Sequence, residues 1–195
     1  MKLKIFLLFL SASLVGTGLW LKYEERQEIL AAVEAHKRRW VPDFDLGAVS
    51  EIFIKTNTAS LLITKDGETW KIQGETPRKA DIAAIGQLVQ RLKNLKPAEE
   101  IPAGPAQYAG LEVLEPDGIS VGTGTLVEIR DKNSRRIAAI IIGKQSFARP
   151  DPKSPFPPAA NGRFFVPAGS TGPVAVVSEG FDSIKTEPDA WAEPK

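Results

Sequence analysis

The chain has 195 residues, with 25 Lys and Arg against 24 Asp and Glu, one His and no Cys. The lack of Cys excludes disulfides, thiol catalysis and Cys-ligated zinc. Residues 1–40 contain seven of the basic and four of the acidic residues, so residues 41–195 contain 18 and 20. Because a nearly neutral domain offers no basic surface that tracks phosphates, we expect no nucleic-acid binding.

An uncharged apolar run occupies residues 5–21 and follows a short basic tail. A helix of this length spans ~25 Å, and the stems of Lys4 and Lys22 extend it toward the ~30 Å of a bilayer core. The run therefore predicts a membrane anchor that contacts the lipid bilayer. A cleaved signal peptide has the same basic start and apolar run, but the large residues around Trp20 disfavour cleavage, so we expect a retained anchor.

Charge and length together predict the orientation of the anchor. Lys2 and Lys4 precede the apolar run, whereas Lys22, Arg26 and the three basic residues at 37–39 follow it. A literal count of basic residues favours a cytoplasmic domain, but long domains translocate largely regardless of charge, and a short signal-like tail usually stays inside. We therefore expect a single-pass protein of the cell (inner) membrane, with the bulk of the chain extracytoplasmic in the periplasm.

Residues 22–40 have the pattern of a helical stalk that continues the anchor. Apolar side chains recur there at spacings of three, four and seven, at Ile29, Leu30, Val33 and Trp40. Pro42 ends the stalk, because the residue before a proline leaves the α region. His36 lies on the stalk without partners for catalysis or metal binding, so we expect a solvated side chain. The predicted domains are an anchor and stalk at 1–40 and a globular domain at 41–195.

The first half of that domain, about residues 41–100, has the pattern of three strands followed by a helix. The strands are predicted at 49–55, 61–63 and 69–72. Asp66-Gly67 between the last two is typical of a hairpin turn. The helix is indicated by apolar residues that recur every three or four positions, at Ile85, Leu88, Val89, Leu92 and Leu95. Asp81 is its predicted N-cap, and Pro97 ends it.

The second half, about residues 101–195, repeats this order. Strands are predicted at 125–131, 136–143, 163–167 and 174–177, and a short helix around 179–185. The segment Ile137–Ile142 is apolar on both faces, which favours a central strand, although a buried helical segment has the same composition. The sequence thus predicts an α+β fold of two β-β-β-α-like halves, with mainly antiparallel sheets and packed helices.

Two stretches lack any regular pattern. Residues 101–105 form a Pro- and Gly-rich connector between the halves. The loop at 149–158 contains five prolines in nine positions from Pro150 onward, which excludes a regular helix or strand interior. A Pro-rich ligand for a partner and a mobile surface insertion both fit this composition, and we expect the insertion.

The motifs that would support catalysis are incomplete. Gly122-Thr123-Gly124 lacks the third glycine and the helix start of a phosphate site, so it is predicted to be a turn. Gly169-Ser170-Thr171-Gly172 is not a nucleophile elbow, and a domain without His excludes a Ser-His-Asp triad. Two acid pairs would suit calcium or a hydrolase, although the calcium-loop pattern is missing: Asp43 with Asp45, and Glu99 with Glu100. We therefore expect no enzyme activity and no catalytic, cofactor or metal site.

The order of several short motifs resembles the DUF4340 domain. They are Trp40-Val41-Pro42-Asp43-Phe44, Val49 to Ile52, Lys65-Asp66-Gly67-Glu68-Thr69-Trp70, Lys79-Ala80-Asp81 before the helix with Leu88, Leu92 and Leu95, Tyr108-Ala109-Gly110-Leu111, Ile142-Gly143 and Trp191. The resemblance covers residues 40–195 and the preceding anchor, but Ala109 interrupts the family's Tyr-Gly-Leu and the Pro-rich loop is an insertion. It implies a membrane-anchored envelope protein, in some cases encoded beside gliding-motility-type ABC transport components, and it supplies no catalytic residues.

Two hypotheses about function follow. The first is a non-catalytic accessory or scaffolding subunit of an envelope or ABC-transport-type complex, with a membrane protein as its partner. The second is an envelope ligand-binding module for a glycan or a peptide. Its cleft would lie between the halves and be lined by Tyr108, Phe147, Phe164 and Phe165. A hydrolase that uses carboxylates alone is a further alternative.

Overall fold

A computed structural model describes residues 40–148 and 156–194. The predicted anchor at 5–21, the predicted stalk up to residue 39, including His36, and residues 149–155 of the predicted Pro-rich loop at 149–158 lie outside the described residues. Among the helices that the structure does describe, none is long and apolar enough to cross a membrane. The described residues belong to one compact unit.

The described part of the chain forms one mostly antiparallel sheet of nine strands together with two α-helices, an α+β arrangement. In chain order the elements are β1 (Glu51–Lys55), β2 (Ser60–Asp66), β3 (Thr69–Ile72), β4 (Arg78–Lys79), α1 (Ile82–Lys93), β5 (Glu99–Ile101), α2 (Pro105–Leu111), β6 (Thr125–Arg130), β7 (Arg136–Phe147), β8 (Ala160–Pro167) and β9 (Val174–Val177). Single 3-10 turns cover Leu46–Ala48 and Pro188–Ala190. The strand order across the sheet is β4-β3-β2-β1-β6-β7-β8-β9-β5.

The sheet is continuous across the sequence halves. β1 pairs with β2 on one side and with β6 on the other, where Glu51 lies opposite Arg130. β5 pairs with β9 at the far edge, so a strand from the end of the first half completes the second. β7 lies between β6 and β8, which confirms the prediction of a central strand at Ile137–Ile142.

α1 belongs to the core on one face of the sheet. Asp81 caps it as predicted, since its Oδ1 accepts hydrogen bonds from the N–H groups of Ala83 (2.8 Å) and Ala84 (3.2 Å). Its apolar side joins the inward residues of the strands in the larger core, and the buried helix residues are Ile85, Leu88, Val89 and Leu92. Each fully buried side chain of this size stabilises the fold by about 1.5–3 kcal/mol.

Two tryptophans complete the same core from the two ends of the domain. The ring of Trp40 packs against Phe165, with 5.1 Å between ring centroids. The ring nitrogen of Trp191 donates a hydrogen bond to the carbonyl of Lys185 at 2.8 Å, so its polar edge is satisfied while its body is buried. The residues where the chain enters and leaves the domain are therefore both part of its hydrophobic core.

α2 belongs to a second, smaller core on the opposite face. Tyr108 of α2 is buried there with residues of β6 to β9, including Leu126, Ile141 and Phe164. The Tyr108 hydroxyl donates a hydrogen bond to the carbonyl of Gly172 at 2.6 Å. This bond ties α2 to the turn between β8 and β9.

The end of the chain differs from the expectation. Residues 179–185, where a short helix is predicted, form no helix; only residues 182–183 are in a turn, and Phe181 has a φ of 50°. The side chain of Phe181 is buried in the larger core. Because a residue in the left-handed region interrupts an α-helix, the backbone conformation of Phe181 is incompatible with the predicted helix.

Candidate functional site

The segment between α2 and β6 contains a loop, residues 115–122, that we call the apolar loop. Its two ends are joined, because Leu114 and Thr123 form an isolated bridge and the N–H of Gly124 bonds to the carbonyl of Leu114 at 2.9 Å. Gly122 has a φ of 79°, and a Cβ built there would lie 2.3 Å from the carbonyl oxygen of Ala109. Only glycine fits this approach of the loop to α2.

Asp117 organises the interior of the apolar loop. One carboxylate oxygen accepts hydrogen bonds from the N–H groups of Ile119 (2.8 Å) and Ser120 (2.7 Å), and the other accepts the Ser120 hydroxyl at 2.5 Å. The Ser120 hydroxyl, together with these backbone donors, lowers the pKa of Asp117 to about 2. The carboxylate is therefore ionised at neutral pH and holds the turn.

A side chain from a different part of the sheet fixes the tip of the loop. Asn57, in the turn between β1 and β2, donates its side-chain amide to the carbonyl of Ser120 at 2.9 Å. Its amide oxygen accepts the N–H of Gly118 at 2.7 Å. The Asn57 side chain thus donates one hydrogen bond and accepts another, and the two bonds set the position of the loop relative to the strands.

Two aliphatic side chains project from this fixed loop. Ile119 is 89% exposed and Val121 is 90% exposed, the highest values among the large apolar residues that the structure describes. Single exposed apolar side chains are ordinary, but neighbouring ones on an ordered segment are typical of an interaction surface. The order of the loop matters here, because a segment that is already rigid loses little conformational entropy when it binds.

The sequence around the loop is acidic. Glu112, Glu115 and Asp117 are exposed, and the sequence between residues 111 and 129 contains no Lys or Arg. The apolar tip therefore lies within a negatively charged segment.

A buried carboxylate lies beneath the start of the loop. Glu128 of β6 is 3% exposed and accepts hydrogen bonds from Arg130, whose Nε is 2.8 Å away, and from Arg136 of β7. Arg136 is also 3.9 Å from Glu115, the first residue of the loop. The Arg130 guanidinium lies 4.6 Å from the centroid of the Phe53 ring. This network satisfies the buried charge and connects the loop to three strands.

The acid pairs that the sequence offers for calcium or hydrolysis are separated by their local structure. Asp45 caps the 3-10 turn by accepting the N–H of Gly47 at 3.0 Å, whereas Asp43 lies 3.8 Å from the Lys93 ammonium. Glu99 and Glu100 are consecutive on β5, so their side chains project to opposite faces of the sheet. Within residues 40–148 and 156–194, no three acidic or His side chains cluster closely enough to hold a metal ion.

The aromatic residues proposed to line a ligand cleft do not share one surface. Tyr108 and Phe164 are buried in the smaller core, whereas Phe165 is buried in the larger core on the other face of the sheet. Phe147 is 56% exposed near the end of β7. These four aromatic residues therefore do not form the cleft that the ligand-binding hypothesis requires.

The first glycine motif closes the apolar loop, because Gly122 is its last residue and Thr123 forms the bridge with Leu114. The second motif begins in a turn at residues 168–169, and the carbonyls of Ser170 and Gly172 lie near the Tyr108 hydroxyl. The sequence analysis did not identify Ile119 and Val121 as candidate functional residues. Their only local signal is a pair of β-branched residues between Asp117-Gly118 and Gly122, which also fits a short strand.

Comparisons with protein-family models, curated proteins and solved structures give no match for this chain.

Proposed function

We propose that the chain is a membrane-anchored extracytoplasmic protein without catalytic activity, which acts as an accessory or scaffolding subunit of an envelope complex. The apolar loop is the observation that carries this proposal. It combines internal order, set by Asp117 and Asn57, with two nearly fully exposed aliphatic side chains, Ile119 and Val121. Such a surface suits contact with another protein.

The proposed anchor makes a small interface sufficient. Burial of two aliphatic side chains contributes about 1.5–3 kcal/mol each, which is modest for a complex between freely diffusing proteins. Confinement of both partners to one membrane raises their effective concentration and lowers the affinity that is needed. An anchor at residues 5–21 and a loop with two apolar contacts would therefore work together.

The resemblance to the DUF4340 domain supplies the candidate partners. Members of that family resemble membrane-anchored envelope proteins, and some are encoded beside ABC transport components. We propose on this basis that the partner is an integral membrane protein, such as an ABC transporter component, and that the domain is periplasmic.

Site-specific photo-crosslinking of the full-length chain in native membranes tests the proposal. A photoreactive residue at position 121 is expected to give an adduct with an integral membrane protein, identified by mass spectrometry. The same residue at Gln87, which is exposed on α1, is the matched control and is expected to give no such adduct. Equal adducts at both positions would overturn the role of the loop.

Extraction of the membranes tests the anchor separately. The full-length protein is expected to resist a carbonate wash and to keep its original amino terminus. Release by carbonate, or a mature chain that begins after residue 21, would overturn membrane anchoring and leave the crosslinking result at position 121 unaffected.

A further inference from the structure

We infer that the apolar loop binds a protein pocket that is apolar at its centre and lined by Lys and Arg at its rim. This inference rests on the proposed function and deepens it, because it assigns the chemistry of the partner. Three observations support it: the exposed pair Ile119 and Val121, the acidic residues beside them, and the fixed geometry of the loop.

The two side chains at the tip of the loop indicate the chemistry and size of the pocket's centre. Ile119 and Val121 are β-branched and restricted at χ1, so their shape is well defined before binding. The carboxylate of Asp117 and the amide of Asn57 hold the intervening backbone. A complementary pocket would therefore be apolar and large enough for two branched side chains.

The negative charge of the loop segment indicates the chemistry of the pocket's rim. Glu112, Glu115 and Asp117 place three negative charges near Ile119 and Val121 in the sequence, and no basic residue lies between 111 and 129 to offset them along the chain. Within the domain, Arg136 lies 3.9 Å from Glu115 but also binds the buried Glu128, so its charge is shared. A partner with Lys or Arg around its pocket would be attracted to this segment, whereas an acidic one would be repelled.

The same charges argue against a lipid surface as the occupant. Segments that lie on anionic membranes carry Lys and Arg, and each basic residue near the surface contributes about 1 kcal/mol of attraction. The loop has the opposite charge, and it lacks the Trp or Tyr that is enriched at the interface between lipid and water. Its two aliphatic side chains are thus better suited to a protein pocket than to lipid headgroups.

An environment-sensitive dye on the loop distinguishes these occupants. Because the chain has no Cys, Ile119→Cys gives a single site for labelling with a nitrobenzoxadiazole dye. The labelled full-length protein is measured in proteoliposomes of phosphatidylethanolamine and phosphatidylglycerol, and again in membrane vesicles from the producing cells. We expect a water-exposed emission in pure lipid and a blue-shifted emission in the native membranes.

Other outcomes overturn the inference. A blue shift in pure lipid would mean that the loop binds the bilayer, and an exposed emission in both preparations would mean that it binds neither lipid nor protein. In both cases a photo-crosslink from elsewhere on the domain to a membrane protein could still support the accessory role. Failure of this inference is therefore distinguishable from failure of the proposed function.

Charge variants test the rim. Glu112→Lys with Glu115→Lys is expected to lower the yield of the crosslink from position 121 by about three- to tenfold at ~0.1 M salt. The difference is expected to shrink at ~1 M salt, where the Debye length is ~3 Å. Glu112→Gln with Glu115→Gln, which adds no new charge beside Arg136, is expected to give a smaller effect of the same sign. An unchanged yield in both variants, with an unchanged circular dichroism spectrum, would overturn the basic rim.

Discussion

Asn57 and Ser120 are 63 positions apart in the sequence, and the side-chain amide of the first donates a hydrogen bond to the carbonyl of the second at 2.9 Å. The same Asn57 side chain accepts the N–H of Gly118. Since a net hydrogen bond contributes about 0.5–1.5 kcal/mol, this one residue supplies a large part of the order in the loop tip. The rigidity of the candidate interaction surface therefore depends on a residue from another turn.

Replacement of Asn57 by Ala tests this dependence. We expect the free energy of unfolding of residues 39–195 to fall by about 1–2 kcal/mol, and hydrogen exchange at Gly118 to become faster. Thr58→Ala, in the same turn at an exposed position, is the control and is expected to change neither quantity. Unchanged exchange at Gly118 in Asn57→Ala would show that Asn57 does not hold the loop.

The Asp117 carboxylate predicts a pH dependence of loop order. Its pKa in the folded protein is about 2, below the usual value of 3.8 for an aspartate, chiefly because the Ser120 hydroxyl donates a hydrogen bond to it. A lowered folded-state pKa means that the ionised group stabilises the fold. That contribution is complete above about pH 4 and is lost as the pH falls through 2.

Carbon-13 NMR titration of the Asp117 carboxyl group checks this expectation. The midpoint is expected near 2 in the original sequence and closer to 3.8 in Ser120→Ala, because the largest cause of the shift is removed. A midpoint of 3.8 in both proteins would contradict the hydrogen-bond pattern of the loop.

Elements with strong local patterns were predictable from the sequence. α1 has both a cap at Asp81 and an apolar stripe, so a helix was predicted where the structure has Ile82–Lys93. β9 was predicted at its observed bounds, Val174–Val177, because four consecutive apolar residues follow a turn. Local sequence was sufficient where periodicity and capping indicated the same element.

Elements whose stability comes from distant residues were missed. β5 has only three residues, two of them Glu, and it exists because it pairs with β9 more than 70 positions later. α2 begins at Pro105 and contains Gly110, so its composition indicates a connector, yet burial of Tyr108 stabilises a helix there. The apolar loop was missed for the same reason, since Asn57 that fixes it is remote in the sequence.

The buried Glu128 is expected to be essential for stability. Glu128→Ala leaves Arg130 and Arg136 without their shared partner at the surface of the core. Because these arginine side chains are 24% and 46% exposed and can be partly hydrated, we expect a loss of about 2–3 kcal/mol, less than for a fully buried pair.

An exposed ion pair is the control for Glu128. Asp189 lies 2.6 Å from Arg78, but its side chain is 88% exposed, so Asp189→Ala is expected to cost less than about 1 kcal/mol. Urea unfolding of residues 39–195 measures both variants. Equal losses in the two variants would contradict a special contribution of burial at Glu128.

Gly122 is expected to tolerate no side chain. In Gly122→Ala the new Cβ would meet the carbonyl of Ala109 at 2.3 Å, and the φ of 79° is unfavourable for Ala. We expect thermal unfolding to show a loss of about 1–3 kcal/mol. Gly74→Ala is the matched control, because no atom lies within 4 Å of its Cβ position, and it is expected to change stability by less than about 0.5 kcal/mol. A stable Gly122→Ala protein would mean that the loop can move away from α2.

Ile119 and Val121 are expected to affect binding but not folding. Because both side chains are almost fully exposed, Ile119→Ser with Val121→Ser is expected to change the free energy of unfolding by less than about 0.5 kcal/mol. Burial of the two side chains in a partner would contribute several kcal/mol, so co-purification of the crosslinked membrane protein with the full-length variant should fall at least about tenfold. Ile82→Ser, at an apolar position on α1 that is 50% exposed, is the control and should leave co-purification unchanged. If the double variant retains its partner, the contact lies elsewhere on the domain.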